Sequence, residues 1–232
     1  MNTRLLIPLH CSPDQLSKLV DLQLAFSAVC NALAPVAQRT QCWNRVALHH
    51  QTYRDMRQRF PQMGSQMICN AVYSVSRACR LVYQHPQSPF HPSKLAGKPL
   101  PLLRFLPDSP VYFDRHTLSL KEGKASLYTL DGRMRFNLPL APVDEQRFRE
   151  GRLREIVLLR HGEGFALSFW LDDNAEDANS VTRADGAAFS AKGEFPEYLL
   201  VIDEPQNIVP AQPASVSHLS AANPMSTNAV RT

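Results

Sequence analysis

Between Val111 and Leu138 the sequence runs VYFDRHTLSLKEGKASLYTLDGRMRFNL, three short alternating runs separated by two turn signals. Leu118 and Leu120 alternate with Thr117 and Ser119 until Glu122-Gly123 breaks the run. A second run, Ala125 to Leu130, ends at Asp131-Gly132, a strong hairpin signal because a type I′ turn needs positive φ at both central positions. Met134, Phe136 and Leu138 then alternate with Arg133, Arg135 and Asn137. The pattern predicts a three-stranded antiparallel meander with one apolar face and an edge bearing Arg133 and Arg135.

Working outward, 232 residues suffice for one good core, or for a small helical unit beside a small sheet. Eighteen prolines against nine glycines imply many interrupted segments and a non-globular end. No apolar run reads as the roughly 20 residues a bilayer span needs, and the N-terminus is interrupted too soon for a signal peptide. The five cysteines are odd in number, widely spaced and without a Cys-x-x-Cys pair, so buried free thiols in a reducing cytoplasm are expected. Charge is graded: 12 Lys/Arg against 3 Asp/Glu in residues 1–106, 10 against 9 in 107–171, and 3 against 9 in 172–232. A basic front with an acidic end is the pattern of a polyanion-binding module carrying a solvated tail.

Upstream of the meander, Arg4 to Leu9 reads as a strand. Ser12-Pro13-Asp14-Gln15 then starts a helix, with Ser12 at the N-cap, Pro13 at the first helical position and Gln15 completing a capping box. Pro35 is expected to kink or end this helix near its last turn. A second helix is predicted from Asn44 to Phe60, with Val46, His49, Tyr53, Met56 and Phe60 as its buried stripe and Arg45, Arg54, Arg57 and Arg59 outside. A third begins at a Ser65 cap, with Ile68, Ala71, Val72, Val75, Cys79 and Val82 inward and Arg77 and Arg80 outward. The segment from His85 to Pro110 is a proline-rich basic connector. Downstream, Glu145 to Gly151 reads as a helical turn. Leu153–Leu159 and Phe165–Leu171 read as a hairpin around His161-Gly162-Glu163-Gly164. Residues 172–193 read as an acidic loop or disordered segment, Tyr198–Ile202 as one isolated strand, and Pro205–Thr232 as a disordered tail.

The fold class is therefore α+β: a three-helix unit, a small antiparallel barrel of about six strands of the kind that binds oligonucleotides, and a disordered C-terminal tail. The units are residues 1–10 (first strand), 11–85 (helical unit), 86–110 (connector), 111–171 (barrel) and 172–232 (tail). The candidates for nucleic-acid contact are the cations Arg45, Arg54, Arg57 and Arg59; Lys94, Lys98 and Arg104; and Arg115, Lys121, Lys124, Arg133 and Arg135. Such side chains supply the sequence-independent, phosphate-directed part of affinity. Tyr53, Tyr112 and Tyr128 are interleaved with them and suited to stacking on unpaired bases. No catalytic residue, metal ligand or cofactor is predicted. His49-His50 reads as core or surface histidines, and Asp114-Arg115-His116 as turn chemistry plus an ion pair. The Leu199-Leu-Val-Ile-Asp203-Glu204 run imitates a Walker B strand, but no phosphate-binding loop accompanies it.

Several residues carry a resemblance: Arg104-Phe105, Tyr112, Asp114, Arg115, Leu118, Ser119, Lys121 and the Ser126–Arg133 hairpin. The segment is similar to one found in a branch of the TnpB family, the transposon-encoded RNA-guided nucleases related to type V CRISPR effectors. In that branch Phe-Arg, here reversed, precedes a Tyr-x-Asp-Arg-x-x-Ser-x-Lys run and a Ser-Leu-x-Thr-Leu-Asp-Gly-Arg hairpin. The opening strand, the Pro-x-x-Gln helix start and Asn31 near the helix end also fit. The resemblance spans roughly residues 5–171. It implies a recognition-like helical unit inserted between the first two strands of an oligonucleotide-binding-type wedge barrel, and the partners it implies are a structured guide RNA and duplex DNA.

The resemblance stops where the family's RuvC-like nuclease domain would begin. That domain holds two metal ions with three separated carboxylates; here only Asp203 is comparable, and it lacks flanking glycines. The expected function is thus a cytoplasmic, nuclease-lacking RNA- and DNA-binding protein, not itself an enzyme. The alternatives are a decayed or frameshifted transposase fragment, or one half of a split endonuclease whose catalytic domain is a separate chain.

Overall fold

The computed structural model describes residues 2–121, 123–172 and 195–202. In chain order these form β1 (Asn2–Leu9), α1 (Pro13–Thr40), α2 (Arg45–Arg59), α3 (Ser65–Tyr83), β2 (Leu102–Phe105), β3 (Val111–Phe113) and β4 (Leu118–Lys121). They continue with β5 (Lys124–Thr129), β6 (Gly132–Asn137), α4 (Pro142–Glu150), β7 (Arg152–His161), β8 (Gly164–Asp172) and β9 (Leu199–Ile202). The class is mixed α+β. Three antiparallel sheets have the orders β1-β8-β7-β3, β2-β9 and β4-β5-β6, and among the described residues none closes into the expected barrel. The Asp114 turn separates the three-residue β3 from the meander, so no ladder continues from one sheet to the other.

The start of α1 follows from its sequence. Ser12 accepts from the Gln15 amide at 3.3 Å, and the Gln15 side chain accepts from the Ser12 N–H at 3.0 Å, satisfying two otherwise unpaired donors. Pro35 does not end the helix, which runs on to Thr40 and closes at Gln41 in the left-handed conformation (φ 49°). α1 meets the length and hydropathy of a membrane span. Its Leu19, Leu22, Phe26, Val29, Leu33 and Ala37 are nevertheless buried in the protein core with α3 and β2 residues.

Three amides at near-heptad spacing on α1 hold the connector. Gln23 donates to the carbonyls of Asp108 and Ser109, Asn31 exchanges two bonds with the Phe105 backbone, and Gln38 donates to the Leu100 carbonyl. That is why a proline-rich segment is packed here and forms β2. The strand expected to be isolated is β9, and it pairs with β2, Phe105 opposite Leu199.

In α2 the buried residues are Leu48, Thr52 and Met56. The expected stripe shares only Met56 with them, and Val46 is 63% exposed. α3 starts at Ser65, but Gly64 is its N-cap and no side-chain cap bond forms. Its six expected inward residues are all buried, and so are Asn70, Ser74, Ser76, Arg77 and Ala78. α3 is therefore a central helix, covered nearly all round.

The meander forms as predicted, with Ala125 opposite both Leu120 and Phe136. Its second turn differs in detail: neither Leu130 nor Asp131 takes positive φ, whereas Gly132 sits at 107°. The Asp-Gly pair marks the turn without adopting type I′ geometry, and Gly132 is the residue that needs the missing Cβ. The predicted β7–β8 hairpin is also present, closing at His161 opposite Gly164. The expected helical turn near residue 145 is the longer α4, entered through Pro142. The expected acidic loop, the Pro205–Thr232 tail and Asp203 lie outside the described residues.

Candidate nucleic-acid interface

The turn between α2 and α3 brings the helical unit against the meander. A Cβ on Gly64 would meet the Tyr128 ring of β5 at 3.0 Å, so glycine allows this close approach. One turn along α3, Gln66 donates to the Asp114 carboxylate and Asn70 to the Thr117 hydroxyl at 3.3 Å. Asp114 in turn accepts from the backbone N–H groups of His116 and Thr117, each at 3.0 Å. The Asp114–Thr117 segment is thus a side-chain-capped turn, as expected, though Asp114 bonds Gln66 where an ion pair was anticipated.

This contact sets the C-terminal end of α2 beside the meander. Arg54 is exposed. Arg45, at the start of α2, is exposed with its guanidinium 5.3 Å from the Tyr73 ring centre. Arg57 donates to the Met63 carbonyl, and Arg59 lies 3.4 Å from Asp55. These four do not form one helical face: the 100° step puts Arg54 and Arg57 away from the core, with Arg45 and Arg59 flanking the buried stripe at opposite ends. Tyr53 is half-buried and stacked on His49 at 4.7 Å between ring centres.

On the meander, Arg115, Lys121 and Lys124 are exposed and border one cavity of about 670 Å³. Arg133 is exposed but committed to the carbonyls of Ser126 and His116, at 3.1 and 2.8 Å. Arg135 is exposed, and its carbonyl accepts from Gln15. Tyr128 is 37% exposed and is available for stacking.

Two sets of predicted residues fall elsewhere. Lys94 and Lys98 are exposed in the connector beside the far ends of α1 and α3, where Gln38 bonds Leu100 and Tyr83 donates to the Pro101 carbonyl at 2.6 Å, whereas Arg104 is exposed on β2 next to Phe105, which Asn31 holds at the middle of α1. α3 has 19 residues, so Lys94 and Lys98 lie about 28 Å along the helix from the Gly64 contact. The connector lysines are thus separated from the α2–meander contact, where the sequence suggested one groove. Tyr112 is only 6% exposed, and its hydroxyl accepts from Arg77 at 3.2 Å. It is a core residue and has no face to offer a base.

Arg77 is the residue most clearly misplaced by sequence reasoning. It was expected to point outward, yet its guanidinium is buried, donates to the Glu155 carboxylate on β7 and lies over the Tyr112 ring. Tyr73 donates to the same carboxylate at 3.1 Å. Burial by itself would lower the Arg77 pKa, but Tyr112 and Glu155 outweigh it and hold the guanidinium firmly protonated. Burial pushes the Tyr112 and Tyr73 hydroxyls upward. The sequence did contain a signal: the stretch of α3 around Arg77 carries Ser74, Ser76 and Ala78, small residues in place of the Lys and Glu of a solvated helix.

Among the described residues no group of three His, Cys, Asp or Glu is placed to hold a metal ion. The five cysteines are free thiols. Burial pushes the Cys79 thiol up to about 12 and that of Cys30 higher still, the opposite of an activated nucleophile. No protein-family model matches the chain, and no curated protein matches it.

Proposed function

We propose that this chain binds structured RNA, of the guide type used by TnpB-like nucleases, together with duplex DNA, and does not itself cut either. The observation that carries the proposal is the Gly64–Tyr128 contact. It sets the C-terminal end of α2 beside the meander, which carries exposed Arg133 and Arg135 and a partly exposed Tyr128. Cations around an aromatic platform suit a strand with phosphates outside and an unstacked base inside. On this reading β1, paired with β8, and the helices that follow it in sequence correspond to a wedge-like sheet with a recognition-like unit inserted after its first strand. Such a protein would work in the cytoplasm, beside a full nuclease or with a separate catalytic chain.

Filter binding of a hairpin RNA to the full chain tests this. The affinity should fall with salt at a log–log slope of about −3 or steeper, as about four phosphate contacts would give. Arg54→Glu with Arg115→Glu should weaken binding by at least tenfold, and Lys94→Glu with Lys98→Glu by much less. Added Mg²⁺ should leave RNA and DNA intact. Affinity no better than that of a neutral control protein, and indifferent to salt, would sink the proposal.

A further inference from the structure

We propose that Arg80 on α3 and Arg45 at the start of α2 together hold a doubly charged, phosphate-type oxyanion. This site does not rest on the RNA reading. It begins from a stripe of polar side chains on α3. Gln66, Asn70, Tyr73, Arg77 and Arg80 follow one another at alternating steps of four and three residues, so they lie along one face of the helix. The first four are answered across the seam: Gln66 by Asp114, Asn70 by Thr117, and both Tyr73 and Arg77 by Glu155. The fifth is not. Arg80 is half-buried, its Nε is buried without a hydrogen-bond partner, and it makes no ion pair among the described residues. Its terminal amino groups are not among the buried unpartnered atoms, so they form the open edge of the guanidinium. A guanidinium desolvated along one edge and left without a counter-charge is unfavourable, and an anion at the open edge removes that cost.

Arg45 supplies the second cation. It is exposed, makes no ion pair among the described residues, and lies 5.3 Å from the centre of the Tyr73 ring, two turns before Arg80. Helical side chains lean towards the N-terminus, which carries the head of Arg80 back over the Arg77 turn towards Tyr73. Burial and Glu155 push the Tyr73 hydroxyl up while Arg77 and Arg80 oppose them, in keeping with an Arg80 charge close to that ring. Glu155 is already committed to Arg77 and Tyr73. Arg45 and Arg80 therefore remain as two cations around a half-buried tyrosine. A phosphate monoester carries a charge of about −1.5 to −2 near neutral pH and three acceptor oxygens, enough for both forks. A carboxylate brings one charge and serves one fork.

Isothermal titration of the full chain with inorganic pyrophosphate, in the absence of divalent metal, tests the assignment. Saturable binding is expected, with acetate at least about tenfold weaker. Arg80→Met and Arg45→Met should each weaken pyrophosphate by about tenfold or more, the loss of one charge-assisted bidentate contact. Arg80→Lys, which keeps the charge and loses the fork, should fall between Arg80→Met and the parent. Lys94→Met, in the connector, should bind as the parent does. The ligand-free melting temperature of Arg80→Met should not fall, because the substitution removes a charge that no partner compensates. Should that variant melt early, Arg45→Met, at an exposed helix start, decides. A titration repeated with hairpin RNA present identifies the source of the oxyanion: displacement assigns it to a backbone phosphate, and undiminished pyrophosphate binding to a free phosphate compound. Non-saturable binding, equal affinity for acetate, unaltered binding in Arg45→Met, or an equal loss in Lys94→Met would each overturn the proposal.

Discussion

The seam between α3 and the four-stranded sheet and the basic surface of α2 and the meander use the same functional group in opposite ways. In the seam, the side chains of Arg77 and Glu155 are 6% and 12% exposed, flanked by Tyr73 and Tyr112. On the surface, Arg54, Arg115 and Lys124 stand in solvent. A desolvated guanidinium is held by partners that cannot be left alone, so it belongs to the fold. A solvated one contributes close to nothing to stability. Its position is therefore free to be set by what it binds, and the two regions should separate cleanly when each is disturbed.

The largest separation is expected at Arg77. Arg77→Ala leaves the Glu155 carboxylate buried without its cation and should cost about 3–5 kcal/mol in urea unfolding. Replacing the pair together, Arg77→Met with Glu155→Leu, should recover most of that loss, because a hydrophobic pair of similar volume needs no desolvation. A loss below about 1 kcal/mol for Arg77→Ala would mean that water reaches the seam and that the contrast with the surface is false.

Alkaline pH should sharpen the same contrast. Burial raises the pKa values of Tyr83, Tyr112, Cys30 and Cys79 in the folded protein. The unfolded chain releases these protons first, from about pH 9.0 for the thiols and 10.0 for the phenols. Stability is therefore full below that range and falls as pH rises through it, by about 1.4 kcal/mol per pH unit for each titrating group. Melts from pH 8 to 11 should show this, and Cys79→Ala should remove one group's share of the slope. An unchanged melting temperature across the range would contradict the burial of these groups.

A smaller effect is expected at the connector. Asn31→Ala deletes both bonds to the Phe105 backbone and should cost about 1–3 kcal/mol. Amide exchange at Phe105 should quicken more than at Phe165 in the β7–β8 hairpin. Equal protection at the two sites would mean that β9 alone holds β2.

Local features were the readable ones. The Ser12–Gln15 capping box, the meander and the β7–β8 hairpin each lie within a few residues of sequence, where turn and cap chemistry act directly. The β2–β9 pairing joins segments about 95 residues apart, and no local pattern announces it. The α2 stripe was misjudged because Thr52 looks polar; its hydroxyl bonds the Leu48 carbonyl inside the helix and leaves a methyl for the core. Arg77 was placed by its charge, although the small residues around it argued for a buried face. The candidate cations were recognisable one by one, but the separation of Lys94 and Lys98 from the α2–meander contact depends on the length of α3 lying between them.

The smallest effect on stability is expected at Arg54, and it is the most demanding test of the contrast. Exposed on the outer face of α2, Arg54 replaced by Ala should change the unfolding free energy by less than about 0.5 kcal/mol, the usual range for a surface site. If it contacts a phosphate, the same substitution should weaken RNA binding at every sequence tested and make the salt slope shallower by about one. Arg77→Met with Glu155→Leu should behave in the reverse way, keeping the slope of the parent at any salt where the protein stays folded. If Arg54→Ala left the slope untouched, the α2 cations would be ordinary solvated charges. The connector lysines, Lys94 and Lys98, would then be the place to look for the polyanion.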